Sequence, residues 1–381
     1  MRLQLPEPSA DALAASRFLQ QQIVGDIQRH GGWIPFSHYM DLVLYAPGLG
    51  YYSGGAAKLG KDGDFTTAPE ISPLFGATLA HVAAELFAQT DAVIMEFGPG
   101  TGKLAFDMLS ELRAAGKLPR HYYLVEVSAQ LRSRQQQRLR DFPQAVWLDR
   151  LPAAFSGLVI GNEVLDAMPV QLLMRDGQGW LERGVALDDA GALRYLDKPC
   201  SAALAAQIPD AAALQAGYLT EVHPVAAGFM QSLAAMLQNS KAAALLFDYG
   251  FPAREYYFSE RVRGTLMCHY RHHAHPDPFY LPGLQDVTAH VDFTAMARAA
   301  IDGGLQVLAY TSQAAFLLDA GIGELLLRTP VAETVRYLPQ ANAVQKLISP
   351  AEMGELFKVL ALGNGIDWPQ RLLAHDRTHC L

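Results

Sequence analysis

Seven consecutive residues, Glu96-Phe97-Gly98-Pro99-Gly100-Thr101-Gly102, offer chemistry that the rest of the chain has to position. The apolar run Ala92-Val93-Ile94-Met95 leads into them, so the pattern reads as a buried strand turning tightly into a helix whose first amides face a ligand. Spacing narrows the ligand. A dinucleotide fingerprint needs G-x-G-x-x-G, and Gly102 comes one residue too early. A triphosphate loop would need glycine at Phe97 and a hydroxyl at Leu104, and has neither. Glu96, at the end of the strand, would repel a pyrophosphate and attract a cation; opposite unit charges about 4 Å apart gain roughly 4 kcal/mol at intermediate dielectric. A second acid, Glu126, ends the next apolar run, Tyr122-Tyr123-Leu124-Val125, where doubly wound sheets hold two ribose hydroxyls.

The order acid-x-G-x-G-x-G resembles the turn of class I S-adenosylmethionine (SAM) methyltransferases, whose ligand carries a sulfonium and an ammonium. On that reading Glu96, Gly98, Pro99, Gly100, Thr101 and Gly102 cradle the methionine end, and Glu126 holds the ribose. Asp149, after a third strand at Ala145-Val146-Trp147-Leu148, reads the adenine amine, and Asn162 ends a fourth strand beside them. Trp147 reads as core rather than as an adenine stacker.

A second constellation follows in Asn162-Glu163-Val164-Leu165-Asp166-Ala167-Met168-Pro169. Ligands of open α/β sheets sit beyond the carboxyl ends of the strands, so these side chains face the transferred group. Glu163 and Asp166, three residues apart on a helical turn, can grip both edges of a guanidinium; the plainer alternative is helix capping beside a surface acid. Asn162 also resembles the amide of nucleobase amino methyltransferases, without the proline pair and aromatic that normally follow it. Tyr249, ending a fifth strand, helps shape the acceptor pocket, and Glu221 is a third acid for the substrate or a loop residue. In Cys268-His269-Tyr270-Arg271-His272-His273-Ala274-His275, His269 or His272 can accept a proton near neutral pH. No metal is expected there, since no CxxC partner accompanies the run.

Composition sets the frame. With 381 residues, 50% hydrophobic and 18% charged, the chain is globular. A net charge of −8 without a long basic run disfavours nucleic acid and permits a basic protein substrate. Three scattered cysteines, Cys200, Cys268 and Cys380, imply reduced thiols. No run reaches membrane-spanning length, and the N-terminal residues resemble neither a secretory signal nor a transit peptide, so the expectation is a cytoplasmic enzyme. The residue pattern implies no particular oligomeric state.

The elements that would carry the site form an α/β fold: a seven-stranded, mostly parallel Rossmann-like sheet with helices on both faces. Residues 1–90 would supply N-terminal helices and a lid loop at Gly54–Thr67; 91–170 and 241–381 the SAM-binding core; 171–240 an inserted α+β cap. Later strands are expected at Leu305–Tyr310 and Leu356–Leu362.

Taken together, Tyr51-Tyr52, Gly63-Asp64-Phe65-Thr66-Thr67, the Glu96–Gly102 turn, Asn162–Pro169, Asp248-Tyr249-Gly250 and Thr288-Ala289-His290-Val291-Asp292-Phe293 resemble the MidA-like family. That family includes the mitochondrial complex I assembly factor that methylates arginine. The resemblance covers most of the chain and implies a SAM-dependent methyltransferase with a protein arginine as acceptor. The rivals are a non-catalytic SAM-binding assembly factor, a small-molecule methyltransferase and an NAD-dependent oxidoreductase.

Overall fold

The computed structural model describes residues 5–54 and 66–381, so residues 55–65 of the expected lid loop lie outside the described residues. The chain divides into two compact units, one of Met1–Phe65, Leu165–Ala227 and Ala253–Asp292, the other of Thr66–Val164, Gly228–Pro252 and Phe293–Leu381.

The second unit holds the parallel sheet. Its strands, numbered within this unit, are β1 Val93–Phe97, β2 His121–Val125, β3 Ala145–Trp147, β4 Gly157–Asn162, β5 Ala242–Phe251, β6 Gln306–Ser312 and β7 Phe357–Asn364. They run in the order β6-β7-β5-β4-β1-β2-β3. β1 to β5 pair in parallel, whereas β7 is antiparallel to both β5 and β6. The order reverses between β1 and β4, which is the switch point where such sheets bind ligands. Continuous burial of β1, Val93 to Phe97, follows from helix cover on both faces, and explains why the run is apolar rather than alternating.

Three helices frame that point: α1 Pro73–Leu86, α2 Lys103–Ala114 and α3 Ala129–Arg138. α1 begins with Ser72, whose hydroxyl accepts from the amide of Leu74, followed by a proline in the first turn. α3 begins with Ser128, which accepts from Leu131. Phe75, Leu79, Met108, Leu109, Tyr122, Leu158, Ile160, Leu245 and Phe247 pack into one buried cluster. At the head of β4, Gly157 has φ of 140°, and a Cβ there would lie 2.3 Å from the carbonyl oxygen of Val93. Only glycine lets β4 approach β1 at that level.

The first unit is built differently from the expected cap. Trp33–Pro35, from the N-terminal segment, pairs antiparallel with Trp180–Leu187, which pairs with Gln171–Arg175 and Leu193–Pro199; Gln171–Arg175 also pairs with Leu219–Val222. Ala10–Arg29 and Phe36–Tyr45 bury Leu19, Ile23, Tyr39 and Val43 with Val170, Leu172 and Val185. The division at 1–90 and 171–240 is therefore corrected. The N-terminal segment and the insertion share a sheet, a long-range pairing that no local pattern announces, while Pro73–Leu86 belongs with the parallel sheet. A smaller sheet joins His273–His275, Met267–Tyr270 and Asp286–Thr288.

Candidate functional site

The glycine turn has the backbone that its sequence demands. Gly98, Gly100 and Gly102 have φ of 59°, 52° and 76°, left-handed values that side chains resist. The amide of Gly98 donates to the carbonyl of Val125 (3.1 Å), tying the turn to the end of β2, and that of Gly102 donates to Pro99 (2.7 Å). Gly102 caps α2. The hydroxyl of Thr101 is engaged by Glu70 and by Arg138 (2.7 Å).

Glu96 ends β1 almost fully buried, 3% exposed, with Oε2 accepting from the Tyr122 hydroxyl at 2.7 Å. Burial, with a further push from the charge on Glu126, carries its pKa up to about 8 in the free protein against the opposing Tyr122 hydrogen bond. Glu126 follows β2. Its Oε1 accepts from the amide of Ser128 (2.7 Å) and its Oε2 from Nε2 of Gln135 (2.8 Å); burial still raises its pKa above the ordinary value.

At the end of β4, Asn162 donates from Nδ2 to Oε1 of Glu163 at 3.0 Å. Its own Oδ1 is buried and finds no partner among the described residues. An orphaned acceptor, three left-handed glycines and two buried acids fit a cationic ligand with donor groups, and suit S-adenosylmethionine.

The second constellation is not a helical turn. Glu163 has φ of 53°, a conformation strained for a residue with a side chain, so it and Asp166 do not share a helix face. A neighbour holds the bend: buried Asp248 on β5 accepts from the amide of Val164 (3.1 Å) through Oδ2 and from that of Tyr249 (2.9 Å) through Oδ1, while the amide of Glu163 donates to Phe247 (2.8 Å). Asp248 carried no assigned role in the sequence, although its place beside Tyr249 at a strand end was a usable signal. Tyr249 is half-buried, its ring 5.4 Å from that of Phe357. Asp166, 5% exposed, lies in the first unit, where the amide of Ala289 donates to its carbonyl. In the same unit the Tyr52 hydroxyl donates to both oxygens of buried Asp286 (3.0 and 3.1 Å), and the charges of Asp286 and Asp166 help burial raise its pKa. Asp286 was likewise passed over in the sequence.

Asp149 follows β3 at the carboxyl edge of the sheet, exposed, its carboxylate against Arg132 at 2.6 Å and held below the usual range by that guanidinium. Other expected site residues sit elsewhere. Glu221 is fully buried in the first unit: Oε1 accepts from the amides of Thr265 and Leu266 (2.8 and 3.0 Å), Oε2 from the hydroxyls of Tyr256 and Thr265 (both 3.0 Å). Four donors make it a structural anchor, which corrects the substrate-binding reading. Glu221→Ala is expected to cost on the order of 3 kcal/mol of stability, read from the urea midpoint, because several buried donors lose their partner. Affinity for S-adenosylhomocysteine should stay within about twofold.

His269 lies half-buried on Met267–Tyr270, between Ala274 and Asp286 in register. His272, exposed with φ of 64°, forms the adjoining hairpin turn. Cys268 is buried in an apolar cluster, which pushes its thiol up. Among the described residues the cysteines are free, and one group combines metal-ligand types, Asp26, His30 and His38. Arg29 lies 2.8 Å from one oxygen of Asp26 and His38 contacts the other; against the effect of burial, these partners hold Asp26 below its ordinary pKa. A guanidinium on the carboxylate marks an ion-pair network.

A family model of S-adenosyl-L-methionine-dependent methyltransferases matches residues 78–311. The chain is 30% identical to the mitochondrial protein arginine methyltransferase NDUFAF7 of Bos taurus over 87% of its own length and 80% of that protein, and 29% identical to that of Homo sapiens over the same shares. A crystal structure from Burkholderia thailandensis, bound to S-adenosyl-homocysteine, is 49% identical, with a TM-score of 0.93, covering 99% of this chain and 100% of that one. The cytoplasmic expectation is corrected by these relatives, which are mitochondrial proteins; residue types at an N-terminus do not decide a compartment. No helix among the described residues is long and apolar enough to cross a membrane. The switch-point turn, its acids and the matching relatives converge: the chain belongs to this family of S-adenosylmethionine-dependent methyltransferases.

Proposed function

We propose that the methyl acceptor is an arginine side chain of a protein substrate. The carrying observation is Glu163, a carboxylate held in a left-handed backbone at the end of β4 by Asp248 and steered by Asn162. Strain of this kind persists where the surroundings over-determine it, and it clusters at working sites. The relatives' names as protein arginine methyltransferases support the acceptor class.

S-adenosylmethionine supplies an electrophilic methyl group on a sulfonium. The glycine turn presents bare backbone to the donor, Glu126 holds its ribose, and Glu96 faces its positive charge. Glu163 accepts hydrogen bonds from the guanidinium and draws its charge to one side. Electron density is left on the opposite nitrogen, which attacks the methyl carbon as the bond to sulfur breaks. The nitrogen then loses a proton to a carboxylate or to solvent. Holding the reactants in line supplies much of the rate.

The test is incubation with methyl-labelled S-adenosylmethionine and cell lysate, followed by hydrolysis of the labelled protein. Methylarginine is the expected product. Label in small metabolites or on another amino acid, or tight donor binding without transfer, would overturn the acceptor assignment.

A further inference from the structure

Gln135 connects three parts of the donor site. It lies on α3, fully buried at 0% exposure. Its Nε2 donates to the carbonyl of Gly100 in the glycine turn and to Oε2 of Glu126, each at 2.8 Å. Its Oε1 accepts from Nε1 of Trp147 on β3, also at 2.8 Å. A Cβ on Gly102 would come 3.2 Å from its Cγ, so the same side chain fills the space behind the turn. Both hydrogens of the amide and its oxygen are thereby assigned, and the Trp147 donor forbids the flipped amide, which would set nitrogen against N–H.

From this geometry we infer that Gln135 is a positioning residue that aims the Glu126 carboxylate at the ribose diol and locks it to the glycine turn. The inference rests on the reading of Glu126 as the ribose ligand. A neutral amide suits the task. A lysine or arginine in its place would neutralise the carboxylate and compete with the ribose hydroxyls, whereas an amide fixes one oxygen and leaves the charge and further acceptor capacity for the ligand. The brace also sets the depth of the site. The carbonyl of Gly100 and the carboxylate of Glu126 share one nitrogen, so turn and acid cannot shift independently.

A cycle between the protein side chain and the ligand hydroxyl separates positioning from packing. Calorimetry would compare S-adenosylhomocysteine with its 2′-deoxyribose analogue on the full-length protein, for the wild type, Gln135→Met and Trp147→Phe. Gln135→Met keeps the volume and removes every hydrogen bond. It should weaken S-adenosylhomocysteine about 30-fold, while the roughly tenfold penalty that the wild type imposes on the deoxy analogue shrinks to about twofold. Trp147→Phe, which removes the indole donor together with part of the ring packed against the core, should show the same loss of discrimination with a smaller drop in affinity, about fivefold. Unchanged affinity, or equal weakening of both ligands with the tenfold penalty intact, would overturn the inference and leave Gln135 a packing residue. Failure of the wild type to bind S-adenosylhomocysteine at all would instead strike the donor reading, so the two failures are distinct.

Discussion

Glu96→Gln is expected to weaken donor binding by on the order of 100-fold near neutral pH, yet to make the ligand-free protein more stable in mild alkali. Both effects come from one buried carboxyl. With its pKa raised from 4.5 to about 8, Glu96 is largely protonated in the free protein at neutral pH. Binding a cation requires it to ionise, at a cost of about 1 kcal/mol, against an attraction of about 4 kcal/mol at close range. The difference of roughly 3 kcal/mol corresponds to about two orders of magnitude in affinity. Glutamine preserves the shape and can still accept from Tyr122, so the loss reports charge.

Linkage gives the signs. A carboxyl whose pKa is higher in the folded than in the unfolded chain contributes stability that is complete below about 4.5 and is lost as pH rises through about 8. The wild type surrenders this contribution in alkali and the glutamine variant does not, so the variant should melt higher than the wild type at about pH 9. Wild-type donor affinity should climb from about pH 6 to 8 and then flatten, with protons released on binding. Calorimetry across that range, with thermal melts, checks both. Parallel affinity profiles for the two proteins would show that Glu96 does not meet the ligand's charge.

Glu163→Gln should lower the rate of methyl transfer by about 100-fold or more, with affinity for S-adenosylhomocysteine changed by less than about threefold. The amide oxygen of the glutamine can still accept from Asn162, so the geometry at the end of β4 survives while the negative charge facing the guanidinium disappears. Glu163→Gly sharpens the contrast. It relieves the left-handed backbone and should stabilise the protein by about 1 kcal/mol, yet transfer should fall at least as far. Single-turnover rates with saturating donor, set beside denaturant midpoints, measure the two axes separately. A rate loss matched by equal loss of donor affinity would move Glu163 from the acceptor to the cofactor.

Much of the donor site was legible because it is local. The turn from Glu96 to Gly102 needs left-handed backbone at fixed spacing, only glycine provides that cheaply, and the three glycines take those values. Strand runs such as Ala242–Phe251 announced themselves by continuous apolar character. What could not be read depends on distant partners. Glu221 carried the same letter as a substrate acid, and only the four donors converging on it from 256–266 make it an anchor. Glu163 and Asp166 matched a helix by spacing alone, but Asp248, far along the chain, holds the bend. Gln135 looked like one more polar residue of a charged helix until the strand and turn it bridges were in place.

The placement of Phe357–Asn364 between Gln306–Ser312 and Ala242–Phe251 bears on how the polypeptide emerges from the ribosome. Two neighbours that are both made earlier must wait, with hydrogen-bonding borders unfilled, for a late-arriving segment to slot between them. A nascent chain halted near residue 350 would therefore display two unfinished sheet margins, the kind of surface that chaperones shield and that invites clumping.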